Sequence, residues 1–97
     1  MRSITMREMM NLKNIDVLDV REYEEVISGM IPGATHIPLG MIPGRVSELS
    51  KSKEYYVVCH TGSRSMMVSQ FLSQQGYKVV NVMGGMSAYR GALNYEM

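Results

Sequence analysis

Ninety-seven residues, 45% of them hydrophobic and 20% charged, are enough for one packed core and too few for two. A formal net charge of +1 with no basic block argues against nucleic acid or an anionic membrane as partner. A single cysteine excludes an internal disulfide framework and fits a reducing compartment, and no stretch approaches the roughly 20 apolar residues that span a bilayer.

The opening residues Met1 to Glu8 lack the apolar run of a signal peptide, so a cytoplasmic protein is the expectation. An edge strand is predicted near Ile4–Met6 and a helix over Glu8–Leu12. Ile15 to Val20 reads as a buried strand, and Arg21 to Ser28 as a short helix stopped by Gly29. Pro32 and Gly33 mark a turn, Thr35 to Ile37 a minimal strand closed by Pro38, and Arg45 to Leu49 a short helix after Pro43-Gly44. Tyr55 to Val58 is a strong strand. Ser65 to Gln75 carries Met67, Val68, Phe71 and Leu72 on one stripe, the pattern of a helix covering a sheet, and Gly76 ends it. Lys78 to Val82 is a further strand, and Gly84-Gly85 lead into a last short helix. Eleven methionines are assigned to core gaps and a loose surface, since the thioether adapts to irregular space.

Strand and helix alternate with short connections, the signature of a parallel sheet covered on both faces. With no repeat, low-complexity tract or linker, residues 1–97 are read as one α/β domain. Reactive groups in such folds gather at the carboxyl ends of strands. Cys59 ends one predicted strand, and Asp19-Val20-Arg21 ends another. Directly after Cys59 comes a short polar loop and then a helix, whose first N–H groups are unpaired and carry about half a positive charge. A thiol held there is driven toward thiolate, the reactive form.

Four stretches, taken in order, resemble the single-domain rhodanese family of sulfurtransferases. They are Asp19-Val20-Arg21 with Glu24-Glu25, the segment Gly29 to Pro38, the loop Cys59-His60-Thr61-Gly62-Ser63-Arg64-Ser65, and Gly84-Gly85-Met86-Ser87-Ala88-Tyr89. Met30, His36 and Tyr89 depart from the residues usual in that family, all outside the Cys59 loop. The resemblance implies a rhodanese-like fold, a five-stranded, mainly parallel sheet with helices on both faces. It also implies a persulfide on Cys59 as the intermediate.

A free thiol ionises near pH 8.5, and lowering that by about two units takes roughly 2.7 kcal/mol. One helix end provides at most about 2 kcal/mol, so the loop must add to it. N–H groups of His60 through Ser65, curled as an anion nest with Gly62 permitting the curl, are the expected supplement. The expected reaction moves a sulfane sulfur from an anionic donor such as thiosulfate to Cys59, and then to a thiol, cyanide or a protein thiol. No metal or cofactor is called for.

Arg64 either contacts donor oxygens or points away and pins the loop through Asp19 or Glu25; sequence leaves both open. Asp19 and Arg21 are read as loop supports, and His36 as a cap on a turn. His60 adjoins Cys59, but neighbouring side chains in a curled loop diverge, which disfavours a Cys–His dyad and leaves a contact at the rim. A cysteine phosphatase or arsenate reductase is the rival enzyme. Those enzymes resemble one another in placing five residues between cysteine and arginine, whereas four separate Cys59 from Arg64. A non-catalytic interaction module would typically lack the cysteine. A carrier passing sulfur between proteins is not distinguished from small-molecule turnover, and the oligomeric state is not legible.

Overall fold

Val57 and Val58 sit at the middle of a sheet whose two faces are both covered, which is why their strand reads as one continuous apolar run. The computed structural model describes residues 1–95. Its strands are β1 (Arg2–Thr5), β2 (Asp16–Asp19), β3 (Thr35–His36), β4 (Glu54–Val58) and β5 (Lys78–Met83). The helices are α1 (Met6–Met10), α2 (Tyr23–Val26), α3 (Ile42–Arg45) and α4 (Ser63–Gln74), with 3₁₀ turns at Leu39–Met41, Val46–Glu48 and Gly85–Ala88. The sheet has five strands in the order β1-β5-β4-β2-β3, and every pairing within it is parallel.

Strand alternation divides the interior into two clusters. Leu18, Tyr55, Val57, Cys59 and Val79 face Val68 and Leu72 of α4 and Ile42 of α3. Val17, Tyr56, Val58, Val80 and Val82 face Met6 and Met9 of α1, with Met86 and Tyr89 packed against them. Cys59 therefore continues the β4 alternation one residue beyond the strand and lands on the α4 side. Met6, Met9 and Met30 are buried while Met10, Met41, Met67 and Met83 are exposed, in line with the gap-filling reading.

Several boundaries differ from the expectations. β1 and α1 begin two residues early, because Thr5 caps the helix and Glu8 returns the bond to the Thr5 amide at 2.8 Å. Helix α2 starts only at Tyr23, after a capping box between Glu22 and Glu25, since Arg21 turns its side chain back onto Asp19. The helix expected at Arg45–Leu49 is instead a string of three short helical pieces from Leu39 to Glu48. Pro43 lies within the first turn of α3, where its missing N–H costs nothing. Helix α4 begins two residues early, at Ser63, and this brings its amino end closer to Cys59. No helix among the described residues is long and apolar enough to cross a membrane.

Candidate active site

Asp19 and Val58 are register partners, so the ends of β2 and β4 lie side by side at the carboxyl edge of the sheet. From Val58 the chain passes through Cys59, curls over His60 and Thr61, and enters α4 at Gly62, whose φ of +124° suits glycine. That curl brings the Gly62 N–H to 3.0 Å from Cys59 Sγ. The Cys59 thiol lies 3.5 Å from Ser65 Oγ, one turn into the helix. Cys59 itself is 0% exposed. Burial pushes the thiol pKa up and is the largest single influence. The Ser65 hydroxyl and the main-chain N–H groups of Ser65, Gly62 and Thr61 together outweigh it, leaving the thiol below its ordinary value.

The loop's N–H groups point inward because its carbonyls are held from outside. Met86 N–H donates to the Cys59 carbonyl at 2.8 Å, Ser87 N–H to that of His60 at 2.9 Å, and Gly84 N–H to that of Thr61 at 3.1 Å. In a trans peptide the C=O and the next N–H point oppositely. Fixing these three carbonyls therefore fixes the N–H groups of His60, Thr61 and Gly62. A side chain at Gly85, where φ is +52°, would meet the carbonyl oxygens of Cys59 and His60, the latter at 2.6 Å. Sequence reading found the Gly84-Gly85 block as a motif and gave it no part in the site. Asn81, 1% exposed in mid-strand and 2.7 Å from Ser65 Oγ, was read only as a strand residue.

At the end of β2 the charges are paired. Asp19 is 0% and Arg21 5% exposed. Arg21 Nη2 donates to Asp19 Oδ2 at 2.8 Å and Nε to Oδ1 at 3.0 Å. Arg21 Nη2 also reaches the Gly29 carbonyl at 2.9 Å, tying the end of the α2 segment to the sheet. His36 Nε2 is 2.7 Å from the Arg21 carbonyl oxygen. Arg64 directs its fork onto Glu25, with Nη1 2.6 Å from Oε1 and Nη2 2.8 Å from Oε2. Of the two directions open to Arg64, this is the pin that joins α4 to α2. The Arg64 guanidinium holds the Glu25 carboxyl down at about 2 against its partial burial. His60, Thr61 and Ser63 are exposed around the loop. The structure thus gathers Cys59, Thr61, Gly62 and Ser65 about the sulfur, and keeps Asp19, Arg21 and Arg64 one layer behind in pairs.

A parallel sheet carrying a lone thiol in an amide-lined loop at its carboxyl edge defines a class of domain, and the rhodanese-like domain model matches residues 5–92. The chain belongs to the rhodanese-like family. It is 53% identical over 75 residues to YtwF of Bacillus subtilis, covering 77% of this chain and 73% of that protein. It is 34% identical over 84 residues to a sulfurtransferase of Allochromatium vinosum, covering 86% and 78%. Its fold superimposes on a rhodanese-like domain protein of Staphylococcus aureus with a TM-score of 0.89, at 36% identity over all of both chains. Sulfur transfer is the activity this membership supports.

Proposed function

We propose that the protein carries a sulfane sulfur on Cys59, taking it from thiosulfate or another persulfide donor and passing it to a thiophilic acceptor. The observation that supports this most directly is the set of inward N–H donors around a buried sulfur: the Gly62 N–H at 3.0 Å and the Thr61 and Ser65 amides, with the Ser65 hydroxyl oxygen 3.5 Å away. In the first step the Cys59 thiolate attacks the outer sulfur of thiosulfate. A sulfur–sulfur bond forms as the donor's own sulfur–sulfur bond breaks, and sulfite leaves with the electron pair. In the second step an acceptor thiolate or cyanide attacks the outer sulfur of the persulfide and Cys59 departs as thiolate. Charge balances in each step, and reactant, intermediate and product sulfur are all anionic, so the same donors serve throughout.

Burial of Cys59 favours a donor whose reacting atom is terminal and can be presented end-on, as sulfane sulfur is. A phosphorus atom hedged by oxygens needs a wider cradle and a free cation. Here four residues separate Cys59 from Arg64, and the Arg64 fork is taken by Glu25. His60, Thr61 and Ser63 form the rim that an acceptor meets, while the Asp19–Arg21 pair holds the Glu25 and Gly29 carbonyls of the α2 segment. Incubation with thiosulfate followed by intact-mass measurement should show one added sulfur, lost in Cys59→Ser. Hydrolysis of an aryl phosphate by a wild type that takes up no sulfur would overturn the proposal.

A further inference from the structure

Strand β5 carries one polar side chain inside an otherwise aliphatic buried run, Val79-Val80-Asn81-Val82. A carboxamide removed from water is costly unless its donors and acceptor are met. Asn81 meets them along a line. It is the register partner of Ser3 on β1, so both side chains stand on the same face of the sheet. Its Nδ2 lies 3.4 Å from Ser3 Oγ, and its Oδ1 accepts from Ser65 Oγ at 2.7 Å. Ser65 Oγ is in turn the group facing Cys59 Sγ. A continuous chain thus runs Cys59–Ser65–Asn81–Ser3, from the sulfur to the edge strand.

The direction of that chain matters. As a thiol, Cys59 donates to Ser65, Ser65 donates to Asn81 Oδ1, and Asn81 Nδ2 donates to Ser3. Ser65 has one hydroxyl proton, and in this arrangement Asn81 holds it away from the sulfur. A thiolate needs that same proton. The other acceptor within reach of Ser65, the Gly62 carbonyl at 3.0 Å, already receives the Met66 N–H at 3.2 Å. Turning the Ser65 proton to the sulfur ends both donations; the Gly62 carbonyl keeps the Met66 N–H, whereas Asn81 Oδ1 loses the donor described for it.

We propose that Asn81 is a positioning residue whose carboxamide turns over when Cys59 ionises, reversing the whole chain. The thiol proton leaves to solvent, and no other covalent bond changes. Ser3 O–H then donates to Oδ1, Nδ2 donates to Ser65 Oγ, and the Ser65 proton points at the sulfur. Every member of the chain is both donor and acceptor, which this reversal demands. A valine there would offer neither, and a carboxylate could only accept. The charged and titratable groups around the sulfur are Arg64 with Glu25 and Glu22 beside it, His60 on the loop, and the Asp19–Arg21 pair at the end of β2. None of these touches Asn81 among the hydrogen bonds and ion pairs described.

The inference rests on Cys59 being the reacting thiolate, yet its test uses no sulfur donor and so fails or succeeds separately from sulfur transfer. The test follows the ¹⁵N-labelled side-chain amide of Asn81 by NMR while pH is raised through the Cys59 titration, itself read from alkylation rate. The amide resonances should move with the thiol midpoint, and their proton contacts should pass from Ser3 to Ser65. Ser65→Ala should remove the movement while raising the thiol midpoint. Resonances that stay still in the wild type overturn the proposal. So does movement that persists unchanged in Ser65→Ala, which reports only the field of the charge. The change of contacts in the wild type reads the turnover with no variant at all.

Discussion

The neighbouring ends of β2 and β4 handle charge in opposite ways. At β2, two full charges are buried and cancelled: Asp19 and Arg21 share a fork of hydrogen bonds, and the remaining guanidinium N–H groups hold the carbonyls of Gly29 and Glu25. At β4, one sulfur is met by neutral dipoles, and the loop peptides that carry the Thr61 and Gly62 N–H groups are held from behind by Ser87 and Gly84. The cation that follows the loop in sequence, Arg64, is already occupied by Glu25. In the proposed reaction the ion pairs belong to the scaffold and the dipoles to the chemistry. A countercharge locked to its partner fixes a loop, whereas amides that cannot swing away stabilise whichever anion the sulfur becomes.

Breaking the scaffold side should cost the most stability. Asp19→Ala strands the Arg21 guanidinium in the interior, and loss of one partner of a buried pair costs about 3–5 kcal/mol. Urea unfolding should show that loss, while whatever protein remains folded keeps a low thiol midpoint. If stability is unchanged, the pair is not what ties α2 to the sheet.

The outer pair should matter less. Glu25 and Arg64 side chains are 32% and 30% exposed, so solvent screens them, and Glu25→Gln should cost only about 1 kcal/mol at neutral pH. Glu25 ionises at about 2 in the fold against 4.5 ordinarily. A depressed carboxylate contributes fully above 4.5 and loses its contribution as pH falls toward 2. The wild type should therefore lose its advantage over Glu25→Gln across that window. An advantage that is flat across that range would show that the pair contributes nothing to stability.

Much of this was legible in the residues. The aliphatic pairs Val17-Leu18, Val57-Val58 and Val79-Val80 marked β2, β4 and β5 as buried strands, and their order with α4 placed Cys59 and Asp19 on one edge. The family motifs pointed to Cys59 and its loop. What escaped was non-local. Pro43-Gly44 reads as a break, yet a proline in a first helical turn is tolerated, so α3 was missed. The start of α4 was placed late because Ser63 and Arg64 carry no apolar stripe. The Gly84–Ser87 amides that brace the Cys59 loop, and the reach of Asn81 to Ser65, leave no spacing signal. Their partners come together only when β4 and β5 pair.

The central measurement is the rate of Cys59 alkylation against pH, taken on the wild type and on Gly85→Ala. The wild type should show a midpoint well below about 8.5, the value of a free thiol. A Cβ at position 85 presses on the carbonyls of Cys59 and His60 and frees the loop amides, so the variant's midpoint should rise toward that value. A wild-type midpoint at or above the free-thiol value, or one that Gly85→Ala leaves in place, would contradict the account.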